Sequence, residues 1–387
     1  MPRNRLRRAD CSTPGLARRR RGRGFEYLDA AGRRIDDAAA LERLRGLAIP
    51  PAWTEVWICP DSLGHLQAVG TDAAGRRQYL YHPRWRERQD QRKFEEMLEF
   101  ARSLPGLRSI ASEHLAGTEL TRERVLACAV RLLDRGFFLI GCEAYVESGS
   151  FGLATLEKRH VRLGRDGLLV FDYVAKGGRR RMQAVVDPDV YEVTAELKAR
   201  RGGGPELLAY REGRRWADVR SNDVNDYIKQ AIGNGFSAKD FRTWHATVLA
   251  AVALGVSAEA TSRTARKRAI SRAVQEVAYY LGNTPAVCRA SYIDPRVFDR
   301  YLAGYTIAPA LELLGEDAAD GAPATQGPIE EAVLALLDGT GPVRGRGSAP
   351  RSRRAARGRA AATAGARRAG SAAARRSRSS GGRGRRG

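Results

Sequence analysis

The stretch Tyr279-Tyr280-Leu281-Gly282-Asn283-Thr284-Pro285-Ala286-Val287-Cys288-Arg289-Ala290-Ser291-Tyr292-Ile293-Asp294-Pro295-Arg296 decides how the rest of the chain is read. Ile270, Val274, Val277 and Leu281 lead into it at helical spacing, and Gly282 is the stop signal such a helix carries. Thr284-Pro285 predicts an N-cap and a first-turn proline, opening a second helix of about two turns. Asp294-Pro295 predicts a third, because a residue before proline resists the α region. Tyr292 is therefore expected at the end of a short helix, between two helix starts, with its phenol presented from a rigid support. A tyrosine in such a place, taken alone, packs or hydrogen-bonds. Its companions decide whether this one does more.

Upstream, Phe241, Trp244, Val248 and Val252 predict the buried stripe of another helix, and Arg242 and His245, at i and i+3, share a neighbouring face. Taken alone, Arg242 reads as a surface cation and His245 as an ion-paired structural residue. Three alternating runs, His160–Leu163, Leu168–Ala175 and Arg180–Val185, predict a strand meander with turns at Arg165-Asp166-Gly167 and Lys176-Gly177-Gly178. Lys176 occupies a hairpin tip, where a lysine is ordinarily just solvated. Ser262–Arg272 holds four Arg and one Lys without an acid, a face suited to tracking a phosphate backbone.

Further towards the N-terminus, Phe25–Leu28, Glu55–Cys59, His65–Gly70 and Gln78–His82 read as short strands, with a helix near Ala38–Leu47. This is a small antiparallel sheet, and its Trp53, Trp57, Gln67, Arg77, Tyr79 and Tyr81 divide between core and a contacting surface. Arg84–Arg102 predicts a charged amphipathic helix linking the two halves, and Glu119–Phe138 a long helix with Leu126, Val130 and Leu133 on its apolar face. The expected fold class is α+β: a β-sheet domain over residues 25–100, then a mainly helical domain over 104–312 containing a small three-stranded sheet. Residues 1–24 are expected to be a disordered basic arm. Residues 316–387 are expected to be a disordered tail, Arg/Ala/Gly/Ser-rich from 341, interrupted at most by a short helix at Ile329–Leu337.

The 387 residues suffice for two domains and a sizeable core. The formal charge of +23 is unevenly placed. Residues 1–24 contribute +8 and residues 341–387 contribute +15, so the body between them is close to neutral. The five cysteines (Cys11, Cys59, Cys128, Cys142, Cys288) form no close pairs and the five histidines show no ligand spacing, which argues against a zinc site or disulfide framework and fits a reducing cytoplasm. No apolar stretch follows the N-terminal arginines as a signal peptide would require, and the longest apolar run, Thr247–Val256, is too short to span a bilayer. No Gly-x-x-x-x-Gly-Lys-Ser/Thr loop and no carboxylate cluster for metal-assisted hydrolysis is present in the sequence.

With these pieces in view, the tyrosine stretch resembles the nucleophile segment of type IB DNA topoisomerases of the bacterial, poxvirus-like branch. Asn283 and Tyr292 keep that family's nine-residue spacing, Lys239-Asp240-Phe241-Arg242-Thr243-Trp244-His245 matches its Lys-x-x-Arg signature, and Ile49-Pro50-Pro51-Ala52-Trp53 with the following sheet resembles its N-terminal clamp. The resemblance covers about residues 14–310. It implies that Tyr292 attacks a DNA phosphodiester, that Lys176 is the general acid for the leaving 5′-oxygen, and that Arg242 and Asn283 hold the phosphate. It further implies DNA contacts from Lys239, and with it His245, Arg263, Arg266, Lys267 and Arg268 are expected to face DNA. The partner expected is double-stranded DNA, clamped by a monomer at the nucleoid, with no cofactor, no metal and no membrane.

One residue departs from the pattern. The family carries a second phosphate-clamping arginine in Phe-Phe-Arg-Ile-Gly, and this chain has Phe137-Phe138-Leu139-Ile140-Gly141. Loss of one preorganised donor costs roughly 10²–10³ in rate, which predicts a slow enzyme unless another arginine, such as Arg135 or Arg289, reaches the phosphate. Two other readings stay open from the sequence: a tyrosine recombinase, which typically has His-x-x-Arg and an all-helical N-terminal domain, and a DNA-binding clamp with degraded chemistry.

Overall fold

The computed structural model describes residues 5–260, 262–313 and 325–340; the Arg-rich run from 341 and residues 1–4, 261 and 314–324 lie outside it. The N-terminal part contains β1 (Leu16–Arg21), β2 (Gly24–Leu28), α1 (Ala38–Gly46), β3 (Thr54–Ile58), β4 (Leu66–Thr71) and β5 (Arg77–Tyr81). The strands form one antiparallel sheet of order β2-β1-β3-β4-β5. Its core of Tyr27, Leu44, Ile49, Val56, Ile58 and Ala68 is separate from that of the helical part.

The expectation of a disordered arm over residues 1–24 is corrected here. Leu16–Arg21 is an inner strand between β2 and β3. Its arginines find local partners that composition conceals: Arg18 donates to the carbonyls of Ile49 and Trp53 (2.7 and 2.9 Å) and lies over the Phe25 ring, while Arg19 pairs with Glu26 across the β1–β2 ladder at 2.7 Å. Even Arg7 is engaged, its backbone bonding Leu63 and His65.

α2 (Pro83–Leu115) does not stop at Arg102. It runs 33 residues, about 50 Å at helical rise, straight through Pro105. A proline there removes one helical hydrogen bond, but Leu104 and Leu107 on either side are buried in the main core. α3 (Arg122–Gly136) is shorter than expected at both ends. Thr121 caps it by accepting from the Arg124 amide at 3.2 Å, and Phe137 ends it in the left-handed region at φ 56°.

The meander follows as β6 (Val161–Leu163), β7 (Leu168–Ala175) and β8 (Arg179–Val186), antiparallel throughout. After α4 (Pro188–Ala199), a two-stranded ribbon, β9 (Ala209–Glu212) with β10 (Arg215–Asp218), leads to α5 (Ser221–Ile232) and α6 (Ala238–Val256). The chain continues through α7 (Arg263–Leu281), α8 (Pro285–Ser291), α9 (Pro295–Leu302), α10 (Ala308–Leu313) and α11 (Pro328–Asp338). The fold class is the α+β arrangement expected: an N-terminal antiparallel sheet, then a mostly helical core carrying a small three-stranded sheet.

α11 is the short helix expected at Ile329–Leu337, but it is docked on the main core where a segment within a disordered tail is expected. Ile329, Val333, Leu336 and Leu337 recur on one face and are buried in the main core. Glu330 of the same helix accepts from Trp244 Nε1 at 2.7 Å and from both terminal nitrogens of Arg108.

Candidate active site

A helix ends with carbonyls that have no partner of their own, and the end of α7 shows how this chain uses them. Gly282 is left-handed at φ 68°, and the amides of Gly282 and Asn283 turn back to the carbonyls of Tyr279 and Ala278 (3.2 and 3.0 Å). The next two carbonyls are taken by arginines from elsewhere in the fold. Arg181 Nη2, from β8, donates to Tyr280 at 2.7 Å, and Arg242 Nη2, from α6, donates to Leu281 at 2.9 Å.

The tyrosine segment is fixed as the sequence predicts. Thr284 caps α8, with Pro285 in its first turn, and Asp294 caps α9 ahead of Pro295. Tyr292 is the C-cap between them and is half-buried. Its ring lies against Arg242, with the guanidinium carbon 5.3 Å from the ring centre, within cation–π range. Asp294, fully buried, accepts from the backbone amide and the guanidinium of Arg296. Lys93 of α2 donates to the carbonyl of Ser291, the residue before the tyrosine.

Three donor nitrogens in this region are buried without a hydrogen-bond partner: Arg242 Nε, Arg181 Nη1 and Asn283 Nδ2. Such a donor ordinarily costs about 1–3 kcal/mol. Burial lowers the pKa of Arg242, with the phenol of Tyr292 opposing, and it lowers that of Arg181, with Tyr173 opposing. The Asn283 side chain lies beside the buried Cys288 thiol, yet its Nδ2 stays unbonded. Arg181, Gly282 and Asn283 line one open groove of about 620 Å³, with Phe137 and Tyr280. Tyr279 and Met182 project at this end of the molecule, 83% and 64% exposed.

Of the residues singled out in the sequence, Tyr292 and Arg242 are in contact, and Asn283 lies beside Cys288, which Arg242 also approaches. Lys176 is exposed at the tip of the β7–β8 hairpin, three residues beyond Tyr173, which pairs with Arg181; that is about 10 Å along the strand. Lys239 is exposed in the first turn of α6, and Arg263, Lys267 and Arg268 are exposed at the start of α7. Arg266 turns inward instead, donating to the carbonyls of Ala260 and Leu302. His245 does not lie on a DNA-facing surface: it is 7% exposed, with Nε2 3.6 Å from Asp134 and its ring edge-on to Phe137. Arg242, a surface cation by its sequence alone, is 4% exposed. Leu139 is half-buried, its carbonyl accepting from Leu153. Arg135 pairs with Asp187 at 2.8 Å, and Arg289 lies over Phe298.

Two residues escaped the sequence reading. Lys93 left no signal beyond being one of few lysines. Arg181 did leave one: in β8 the inward parity runs Arg181, Gln183, Val185, so an arginine stands where alternation calls for a core residue. In the N-terminal sheet, Gln67 and Trp53 belong to the interior, whereas Arg77, Tyr79 and Tyr81 of β5 are the exposed set, the two tyrosines stacked at 6.3 Å. Among the described residues no group of three His, Cys, Asp or Glu side chains is disposed to hold a metal ion, and no helix is long and apolar enough to cross a membrane.

Comparison with known proteins bears directly on this constellation. Residues 82–305 match the family described as eukaryotic DNA topoisomerase I, catalytic core, and residues 24–72 match the bacterial DNA topoisomerase IB N-terminal domain. DNA topoisomerase 1B of Acanthamoeba polyphaga mimivirus is 28% identical over 298 residues, covering 74% of this chain and 87% of the viral protein. DNA topoisomerase 1B of Vaccinia virus (strain Copenhagen) is 21% identical over 270 residues, 68% of this chain and 82% of its own length. DNA topoisomerase 1 of Daucus carota is 25% identical over 158 residues, 40% of this chain and 19% of the plant protein. The N-terminal match and the five-stranded sheet stand where a tyrosine recombinase has helices.

Proposed function

Because the chain belongs to the topoisomerase I family and is a type IB DNA topoisomerase of the poxvirus-like branch, we propose that it acts on duplex DNA through a 3′-phosphotyrosyl intermediate on Tyr292. The phenolic oxygen attacks the phosphorus of one strand and its proton leaves to water. The bond to the 5′-oxygen breaks as Lys176 delivers a proton to it. Arg242 and Asn283 hold the non-bridging oxygens, where charge accumulates in the transition state. The new ester conserves the energy of the old one, so the reverse attack reseals the strand without ATP. Between the two steps the free 5′-hydroxyl end rotates and supercoils are released. A monomer holds the duplex, with the exposed Arg77, Tyr79 and Tyr81 of β5 on the clamp side, and the donors named supply the positive charge without a metal or small-molecule cofactor.

The observation that carries this reading is the packing of Arg242 on Tyr292, with Arg242 Nε buried and without a hydrogen-bond partner, as is Nδ2 of Asn283 at the end of α7. Buried donors are nearly always paired, so an unpartnered guanidinium nitrogen on the arginine packed against this tyrosine fits a visiting anion. The test is relaxation of supercoiled plasmid with EDTA present and ATP absent, with denaturing gels to trap protein–DNA adducts. Wild type is expected to relax DNA and form the adduct. Tyr292→Phe is expected to bind DNA with unchanged affinity and form none; an adduct persisting in that variant would falsify the assignment. Leu139 makes the clamp one guanidinium short of the family pattern, and the rate falls accordingly unless a second cation reaches the phosphate.

A further inference from the structure

We propose that Arg181 is that second cation: a catalytic residue whose Nη1 contacts a non-bridging oxygen of the scissile phosphate and replaces the guanidinium missing at position 139. The proposal rests on the Tyr292 reading above and goes beyond it by adding a residue that the family signature does not name.

The first support is geometric. Arg181 Nη2 is fixed on the Tyr280 carbonyl at 2.7 Å, which leaves Nη1 buried and unbonded at the edge of the groove. Arg242 is anchored in the same way one residue further on, through Leu281. The two guanidiniums therefore grip consecutive carbonyls, and each keeps one donor nitrogen unbonded, as does Asn283, which lines the groove with Arg181.

The second support is the space Arg181 occupies. A Cβ on Gly282 would lie 1.9 Å from Arg181 Nη1. The guanidinium fills the position of an absent side chain, directly before Asn283 in sequence. No residue but glycine at 282 permits this approach without displacement, and glycine is also what the left-handed backbone there prefers.

The third is charge. Among the described residues no carboxylate pairs with Arg181 or Arg242, although the neighbouring arginines are neutralised: Arg180 by Asp172 at 2.6 Å and Arg135 by Asp187 at 2.8 Å. Arg289, the other substitute suggested by sequence, is stacked on Phe298. Two desolvated guanidiniums without a counter-ion are costly unless an anion visits. Burial pulls both pKa values down, consistent with uncompensated charge. The competing explanation is that Arg181 merely caps α7, and the experiment must separate the two.

The measurement is single-turnover cleavage, at saturating protein, of a duplex bearing a site mapped from wild-type adducts. One substrate carries the ordinary phosphodiester and a second carries a methylphosphonate at the scissile position, which removes one anionic oxygen. On the phosphodiester, Arg181→Ala is expected to slow cleavage by about 10²–10³-fold while DNA affinity changes less than about threefold. Arg181→Lys retains more activity than Arg181→Ala. Leu139→Arg restores at least about tenfold in the Arg181→Ala background but changes wild type less than about threefold. On the methylphosphonate the deficit of Arg181→Ala shrinks by at least about tenfold, because the charge it would have met is gone. Cleavage by Arg181→Ala within about threefold of wild type overturns the proposal. So does an equal loss on both substrates, the result expected of a structural cap; should Arg181→Ala not fold, the same comparison with Arg181→Lys decides. A wild-type protein that makes no Tyr292-dependent adduct instead overturns the underlying reading, before any Arg181 variant is measured.

Discussion

Gly282 shows how much one residue position can carry. As a glycine after a periodic apolar stretch it was legible as a helix stop, and it is one, at φ 68°. Its second role, leaving room for Arg181 Nη1, was not legible, because β8 and the end of α7 lie 99 residues apart. Gly282→Ala meets both constraints together. The left-handed backbone costs a residue with a Cβ about 1–2 kcal/mol, which should appear as a lowered melting temperature. The new methyl must also push the guanidinium aside, so cleavage should fall about as far as in Arg181→Ala. The double variant should then be little worse than either single one, since both remove the same contact. Additive losses in that cycle would mean that Gly282 serves the backbone alone.

At the scale of elements, α6 is tied to α2, α3 and α11 by a buried charge network through Trp244 and His245. Asp134 of α3 accepts from Arg108 Nε and Nη2 (2.8 and 2.9 Å) and from Gln326, with His245 at 3.6 Å; Glu330 of α11 takes the rest of Arg108 and Trp244 Nε1. Burial pushes the Asp134 carboxyl upward, but the approach of His245 and the bonds from Arg108 outweigh that and hold it below the ordinary carboxylate range. A depressed carboxylate stabilises the fold above its unfolded value near 3.8, and that contribution is lost as the pH falls below it. Asp134→Asn leaves Arg108 half-paired in the interior, so it should lose about 3–5 kcal/mol at pH 7. The gap in melting temperature from wild type should narrow at pH 3. A gap that stays constant between the two pH values would rule out the charge of Asp134 as its source. The same network explains why Ile329–Leu337 was read only as an isolated helix: its apolar spacing is local information, whereas the pairing of Glu330 with Arg108 spans 222 residues.

For the whole molecule, the distribution of charge decides how DNA is first met. Composition alone puts +8 in the first 24 residues, but the fold consumes part of it. Arg18 caps carbonyls, Arg19 and Arg21 share Glu26, and Arg7 pairs with Asp61. The fifteen arginines of residues 341–387, which lie outside the described part, are the larger reserve. Deleting 341–387 should weaken non-specific DNA binding and flatten its salt dependence, by about 0.9 in logarithmic slope for each phosphate no longer neutralised. Cleavage of bound DNA should survive, since Tyr292, Arg242, Asn283 and Lys176 all lie before residue 341. Titrations of binding against salt, paired with single-turnover cleavage at saturating protein, check both halves. A collapse of the cleavage rate would show that the tail does more than gather DNA.

The sequence by itself determined what is encoded locally. Caps, prolines and apolar spacing marked the three helix junctions around Tyr292, and period-two runs with glycine turns marked the meander and most of the N-terminal sheet. These signals are short-range backbone preferences, so they survive without knowledge of neighbours. The tertiary structure alone decided which charged groups became buried and what they faced. It placed Arg18 in a sheet where composition suggested a loose arm, turned His245 and Arg266 from a DNA surface into internal contacts, and carried α2 through Pro105. Above all it brought Arg181 beside Arg242 and Asn283. Desolvation and pairing of charges depend on contacts between residues tens to hundreds apart, and no local pattern in the chain records them.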